Sequence, residues 1–143
     1  MASTKVGIAR GPRSLLVKVK TVARTMTSGT QIATLPRGAR ILGFILNGVA
    51  SDAATTATVS IGSTAANSNE YVSAADVKTA AAGVGPTWLA GVSGALGGTA
   101  NPPTEANLPI FAKYAETGTA STVGSWTVAI VFTAGNDLYD DTL

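Results

Sequence analysis

The chain contains neither histidine nor cysteine. Without cysteine there is no disulfide framework and no thiolate nucleophile. Without histidine there is no imidazole base, and with both absent the usual zinc donors are gone. Charge is scarce too: charged residues make up 13% of the 143 positions and aromatics 6%. Alanine, glycine, serine and threonine dominate, a surface suited to a protein held against neighbours rather than to a free enzyme. Long apolar runs are also missing. The stretch Leu15-Leu16-Val17 ends at Lys18, too short for a signal peptide. The longest uncharged run, residues 79–104, holds six glycines and the pair Pro102-Pro103, and is neither apolar nor helical enough to span a bilayer. The expectation is a soluble, cytoplasmically made, non-enzymatic protein with no cofactor, no small-molecule substrate and no membrane partner.

What is present organises around residues 125–133, Ser-Trp-Thr-Val-Ala-Ile-Val-Phe-Thr. Side chains alternate across a strand, so Trp126, Val128, Ile130 and Phe132 share one face. Thr127, Ala129, Val131 and Thr133 share the other. The second face is small or β-branched rather than charged, which suits cover by a second sheet or by another copy of the chain. Residues 40–46 are apolar on both faces and read as a central strand. Residues 15–23 alternate, with Leu15, Val17 and Val19 opposite Lys18 and Lys20; this is a strand with one wet or partner-facing side, whose lysines blunt an exposed edge. Residues 57–62 and 108–116 read as further strands, the latter limited in pairing at Pro109 and joined to 125–133 as a hairpin.

Leu35-Pro36-Arg37-Gly38 reads as a type I turn. Asn47-Gly48 is a hairpin signal, although the small, polar residues after it suit a longer loop equally well. Ser73, with Asp76 three residues on, resembles a helix start, and residues 74–82 read as one short helix ending at Gly83. Residues 85–107 read as a long Gly/Ala/Pro loop carrying Trp88.

The domain division expected is an extended basic arm over residues 1–14, a sandwich over 15–135 and an acidic tail over 136–143. The fold class is all-β: an antiparallel β-sandwich of jelly-roll type with one short helix and that arm. Charge follows the division. Residues 1–40 hold eight of the ten basic residues and no acid, whereas residues 41–143 carry a net charge of −6. A basic front and an acidic remainder point to an electrostatic attachment surface at one end.

Several phrases carry a resemblance: Leu35-Pro36-Arg37-Gly38-Ala39, the strand Thr58-Val59-Ser60-Ile61-Gly62, the segment 71–77, and 114–118 with Trp126-Thr127-Val128. Together they resemble small structural proteins of tailed-bacteriophage heads, in particular the cement or decoration proteins that coat such capsids. The resemblance covers residues 35–133. It implies a jelly-roll sandwich on the outer surface of a virion that self-associates and binds the major capsid protein across subunit joints. Because two-fold contacts are commonest, the expected self-association is a homodimer, with a trimer as the alternative. It supplies no binding residues.

The partner-binding residues expected from charge and pattern are Lys5, Arg10, Arg13, Leu15, Leu16, Lys18, Lys20 and Trp88. For the basic ones the plainer reading is a solvated strand face. Trp126 reads as core and Trp88, in a loop, as the better contact. A nucleic-acid-binding module is the alternative for the basic segment, but no aromatic precedes Phe44 and no recognition helix is visible. Another virion part, in the tail or at the head–tail joint, is the nearer alternative. Gly91-Val-Ser-Gly-Ala-Leu-Gly-Gly lacks the lysine of a phosphate loop. Asp137, Asp140 and Asp141 lack the glycine and glutamate of an EF-hand calcium loop and read as a solvated tail.

Overall fold

The structure, a computed structural model, describes residues 15–53, 55–66, 68–78, 87–88 and 106–133. Among these are eight strands: β1 (Leu15–Ala23), β2 (Thr30–Leu35), β3 (Arg40–Gly48), β4 (Thr56–Gly62), β5 (Val72–Asp76), β6 (Thr87–Trp88), β7 (Leu108–Thr117) and β8 (Ser125–Thr133). They form two four-stranded sheets, ordered β1-β8-β3-β6 and β2-β7-β4-β5, with every pairing antiparallel. First pairs with last, second with seventh, third with sixth and fourth with fifth. Consecutive strands therefore alternate between sheets, except β4 and β5.

The two sheets face each other across one core. β8 turns Trp126, Val128, Ile130 and Phe132 inward, β3 adds Ile41, Phe44 and Leu46, and the second sheet supplies Leu35, Val59, Ile61, Ile110 and Tyr114. Alternation dictates this: each strand buries every second side chain, and the hydrophobic effect selects the larger set. Two aromatic stacks tie the layers, Tyr114 on Trp126 with centroids 5.0 Å apart and Phe44 on Tyr71 at 6.0 Å.

Several sequence expectations are corrected. The start of the expected helix is strand: Val72–Asp76 pairs with β4, Val77 and Lys78 follow outside any helix or strand, and the rest of the stretch, from residue 79, lies outside the described residues. Helix propensity is a weak preference, and burial of Val72 and Val77 against β4 outweighs it. Asp76 forms no capping box; its Oδ1 accepts the backbone N–H of Lys78 at 2.7 Å. Ala74 is the extra residue of a bulge, at φ 51°, and its N–H donates to Ser60 Oγ at 3.0 Å. Nor do β7 and β8 form a hairpin, because they lie in different sheets. Residues 118–124 carry the chain across the sandwich. Asn47-Gly48 makes no hairpin either, since β3 and β4 also belong to opposite sheets.

The turn after β2 closes one residue later than expected. Ala39 N–H donates to Pro36 carbonyl at 3.1 Å, with Gly38 third in the turn at φ 77°. A positive φ there belongs to type II. Strand β2 had no clear sequence signal, because an irregularity between Gln31 and Ala33 breaks its period of two. Thr87–Trp88 is a short strand inside the expected long loop.

Candidate functional site

Two features stand apart from the ordinary core. The first is a polar knot at the end of the sandwich where β3 and β7 finish and β4 and β8 begin. Asp52 accepts hydrogen bonds from Thr122 N–H (2.8 Å), Thr122 Oγ1 (2.6 Å) and Val123 N–H (3.1 Å), and from the Ser121 hydroxyl. Ser51 Oγ stands 3.0 Å from both Tyr114 Oη and Ser121 Oγ. Tyr114 Oη donates to Glu116 Oε2 at 2.6 Å, and Ser121 N–H donates to the same oxygen at 3.0 Å. The loop after β3 is thereby fastened to the loop before β8.

Hydrogen bonds from the Ser121 and Thr122 hydroxyls, then from Val123 N–H, hold the Asp52 carboxyl far below the usual carboxylate range. The Tyr114 hydroxyl, then Ser121 N–H, lowers Glu116 in the same way. A general base works best with a pKa near the working pH, so two carboxylates held ionised by their donors suit anchoring rather than proton transfer. Burial first, and then donation to Glu116, raises the Tyr114 phenol, which keeps that donor protonated.

Both carboxyl groups titrate lower when folded than their ordinary 3.8 and 4.5. Their contribution is full above those values and is lost as pH falls through the lower folded ones. The melting midpoint should therefore stay level from about pH 7 to about pH 5 and decline only in stronger acid. Asp52→Asn should flatten that acid limb. Midpoints of the two proteins, measured across pH, check this; an early fall, already complete by about pH 5, would contradict it.

The second feature is the outer face of the β1-β8-β3-β6 sheet. The ladder places Val17, Val131 and Gly43 in one row, of which only Val17 is exposed while Val131 and Gly43 are buried, with Leu42 at the irregularity between Ile41 and Gly43. Val19, Ala129 and Ile45 make the next row, and Trp88 stands opposite Ile45 in β6. Leu15, Val17 and Val19 are 60%, 56% and 59% exposed, and Leu42 is 41% exposed. The end rows are Leu15 with Thr133 and Arg40 on one side, where the Thr133 hydroxyl is buried, and Thr21 with Thr127 and Asn47 on the other. None of these four strands contains an acidic residue.

The other sheet differs in its hydroxyl content. Its outer side carries Gln31, Thr34, Thr56, Thr58, Ser60, Lys113 and Thr117 together with Pro109, Phe111 and Ala115, and Thr56 Oγ1 and Thr117 Oγ1 are 2.6 Å apart.

The expected partner-binding residues divide as follows. Lys5, Arg10 and Arg13 lie outside the described residues. Leu15, Leu16, Lys18 and Lys20 lie on β1, an edge strand, and Trp88 on β6, the opposite edge of the same sheet. The wet side of β1 is the apolar one, contrary to what charge suggests. Lys18 and Lys20 share the side of Val22, which is fully buried, and Lys18 Nζ reaches the carbonyl of Thr34 in the other sheet at 2.9 Å. The lysine stem is long enough to leave the sandwich margin while its charge meets a carbonyl. Val17, Val19, Leu42, Ile45 and Val131 were not among the partner-binding residues expected from sequence. Their signal was the charge-free second face of 125–133 and the two apolar faces of 40–46.

Among the described residues no group of three or more acidic side chains is placed to hold a metal ion, and no helix is long and apolar enough to cross a membrane. No family model matches the chain, and no curated protein matches it. Among solved structures, a chain of the "Cyanophage Pam1 capsid asymmetric unit" is similar, with a TM-score of 0.61 and 22% identity. The likeness spans 94% of this chain and 97% of that one, so the two are nearly equal in length and similar in fold.

Proposed function

We propose that this chain is a structural, non-catalytic virion protein that lies on the outer surface of a phage capsid and cements neighbouring major capsid subunits. The observation that carries the reading is the end-to-end likeness to a chain of a cyanophage capsid asymmetric unit. The strand pairing supports a jelly roll, because a long hairpin of eight strands rolled on itself yields these two sheet orders. Self-association belongs to the same proposal. The mechanism is bridging. A rigid sandwich that grips two subunits holds the second at high effective concentration, so contacts of modest strength resist separation together. The basic residues Lys5, Arg10 and Arg13 precede β1 and extend the grip by charge.

The test is to mix purified protein with capsids lacking it, with and without residues 1–14, and to count bound copies by electron microscopy. Full-length protein should appear many times over the shell and the truncated form should be depleted. Density confined to one vertex or to the tail would instead favour a head–tail or tail component. Equal occupancy by both forms would remove the arm from the mechanism.

A further inference from the structure

We infer that the free edge of β1 is a strand-addition site, and that its occupant is an extended segment of a neighbouring shell protein with a carboxylate opposite Lys20. The inference deepens the proposed capsid role and rests on it. The edge strands of the two sheets are β1 and β6, and β2 and β5. Three of the four are blunted. β6 is two residues long, β2 loses its register between Gln31 and Ala33, and the five-residue β5 carries the bulge at Ala74. Short length and bulges keep a sheet edge from templating another strand. β1 has neither. It runs nine residues in unbroken register with β8, from Leu15 opposite Thr133 to Ala23 opposite Ser125. On its other side no described strand pairs with it.

In an antiparallel ladder every second residue of an edge strand turns its N–H and C=O away from its partner. Such a row of donors and acceptors is matched by another extended backbone. The side chains point the same way. Seven large apolar residues stand exposed among those described, and four of them, Leu15, Leu16, Val17 and Val19, fall in the first half of β1. The other three, Leu42, Val49 and Val123, lie on no edge strand. A strand laid beside β1 would cover the flanks of Leu15, Val17 and Val19 on the outer side and of Leu16 on the inner.

Charge then chooses between a second copy and a foreign strand. Lys18 and Lys20 share the inner side with Leu16 and Val22. Lys18 Nζ is engaged by the Thr34 carbonyl of β2 at 2.9 Å. Lys20 lies opposite Val128, and neither β8 nor β2 contains an acid. Two copies of β1 joined antiparallel about a two-fold axis pair residues of the same side. Full overlap, centred on Val19, sets each Lys18 opposite a Lys20, and centring on Lys18 or Lys20 sets that lysine opposite its own copy. The registers that avoid this, centred on Val17 or Thr21, pair only five of the nine residues. Like charges directly opposite destabilise a ladder, and opposite charges stabilise it. The lysines thus reject a second β1 and favour a strand with an acid at that position.

The experiment uses the full chain and capsids assembled without it. Hydrogen exchange is followed by mass spectrometry in free and capsid-bound protein. In the free protein about half of the β1 amides should exchange fast. On the capsid they should slow by about tenfold or more, with β2 and β5 little changed. Lys20→Glu should weaken co-sedimentation about fivefold or more, and Lys20→Gln by less. Lys113→Glu makes the same change of charge on the outer side of the other sheet and should bind as the parent does. The exchange measurement needs no variant, so it decides even if a substitution unfolds the chain. Unchanged β1 exchange in capsid-bound protein would overturn the edge while leaving the capsid role intact. Parental binding by Lys20→Glu would overturn the acidic strand as occupant. Slow exchange along all of β1 in dilute free protein would mean that this chain's own residues close the edge. Protection that rises with protein concentration without capsids would assign the edge to a second copy. Either result overturns the shell segment as its occupant. Failure of the unaltered protein to sediment with capsids would overturn both the edge and the capsid role.

Discussion

Trp126→Ala should lower the unfolding free energy by about 3–5 kcal/mol, the range for removing a large buried aromatic. Trp126 is fully buried at the junction of the two layers, stacked on Tyr114 and flanked in the ladder by Val22 and Gly48. Neither neighbouring strand can close the void without losing ladder hydrogen bonds. Domains of this kind are stable by only about 5–15 kcal/mol, so the variant would sit near the folding threshold. Trp126→Phe should cost far less. It keeps most of the ring stack and removes an indole N–H that has no hydrogen-bond partner, an unmet donor that itself costs about 1–3 kcal/mol. Denaturant unfolding of the three proteins tests this; a loss below about 1 kcal/mol in the alanine variant would show that Trp126 does not organise the core.

Gly48→Ala is the second large effect, expected at about 1–3 kcal/mol. A Cβ at this position would lie 2.5 Å from Trp126 Cδ1, 2.7 Å from the Ser125 carbonyl oxygen and 3.0 Å from Trp126 Cα. Two of those three atoms are backbone, so no rotamer change removes the clash, and β3 must move away from β8. The thermal midpoint should fall by about 2–4 °C per kcal/mol. In a Trp126→Ala background the penalty should shrink without vanishing, because the Ser125 carbonyl remains. A midpoint equal to the parent's would mean that β3 and β8 are not packed as closely as the ladder implies.

Gly48 also illustrates where sequence reasoning reached its limit. Asn47-Gly48 carries the local chemistry of a tight turn, yet the glycine serves a close approach between two paired strands. That requirement comes from a residue 78 positions away in the chain, Trp126. The same limit explains the helix expected over residues 74–82. Ser73 and Asp76 have helix-start spacing, and alanine favours helix, but the backbone groups around them are claimed by β4: Tyr71 N–H donates to the Ile61 carbonyl at 2.9 Å, and Val77 N–H to that of Ala57 at 2.9 Å. Local preferences of tenths of a kcal/mol yield to pairing of this kind.

The polar knot was likewise hidden. Ser51, Asp52, Tyr114, Glu116 and Ser121 have no common spacing, and none was marked as a group. Two turn segments some 70 residues apart had to meet before Asp52 could gather donors from both sides. The outer face of the β1-β8-β3-β6 sheet was half visible. Period-two alternation assigned Val17 and Val19 to one side of a strand, and Ala129 and Val131 to one side of another. It said nothing of which strands stand together.

The amino-acid order alone therefore determined the strand faces of 125–133 and 40–46, the predominance of sheet, the lack of histidine and thiol chemistry, and the concentration of basic charge before residue 41. Each of these is a property of neighbours in the chain. Only the tertiary structure decided that β1 and β3 flank β8, that β7 crosses to the other sheet, and that the apolar side of β1 meets solvent while its lysines turn inward. Strand pairing is the reason. A strand's side chains alternate by geometry, but its hydrogen-bond partners are chosen by contacts across the whole fold, and the face a sheet leaves uncovered depends on those partners.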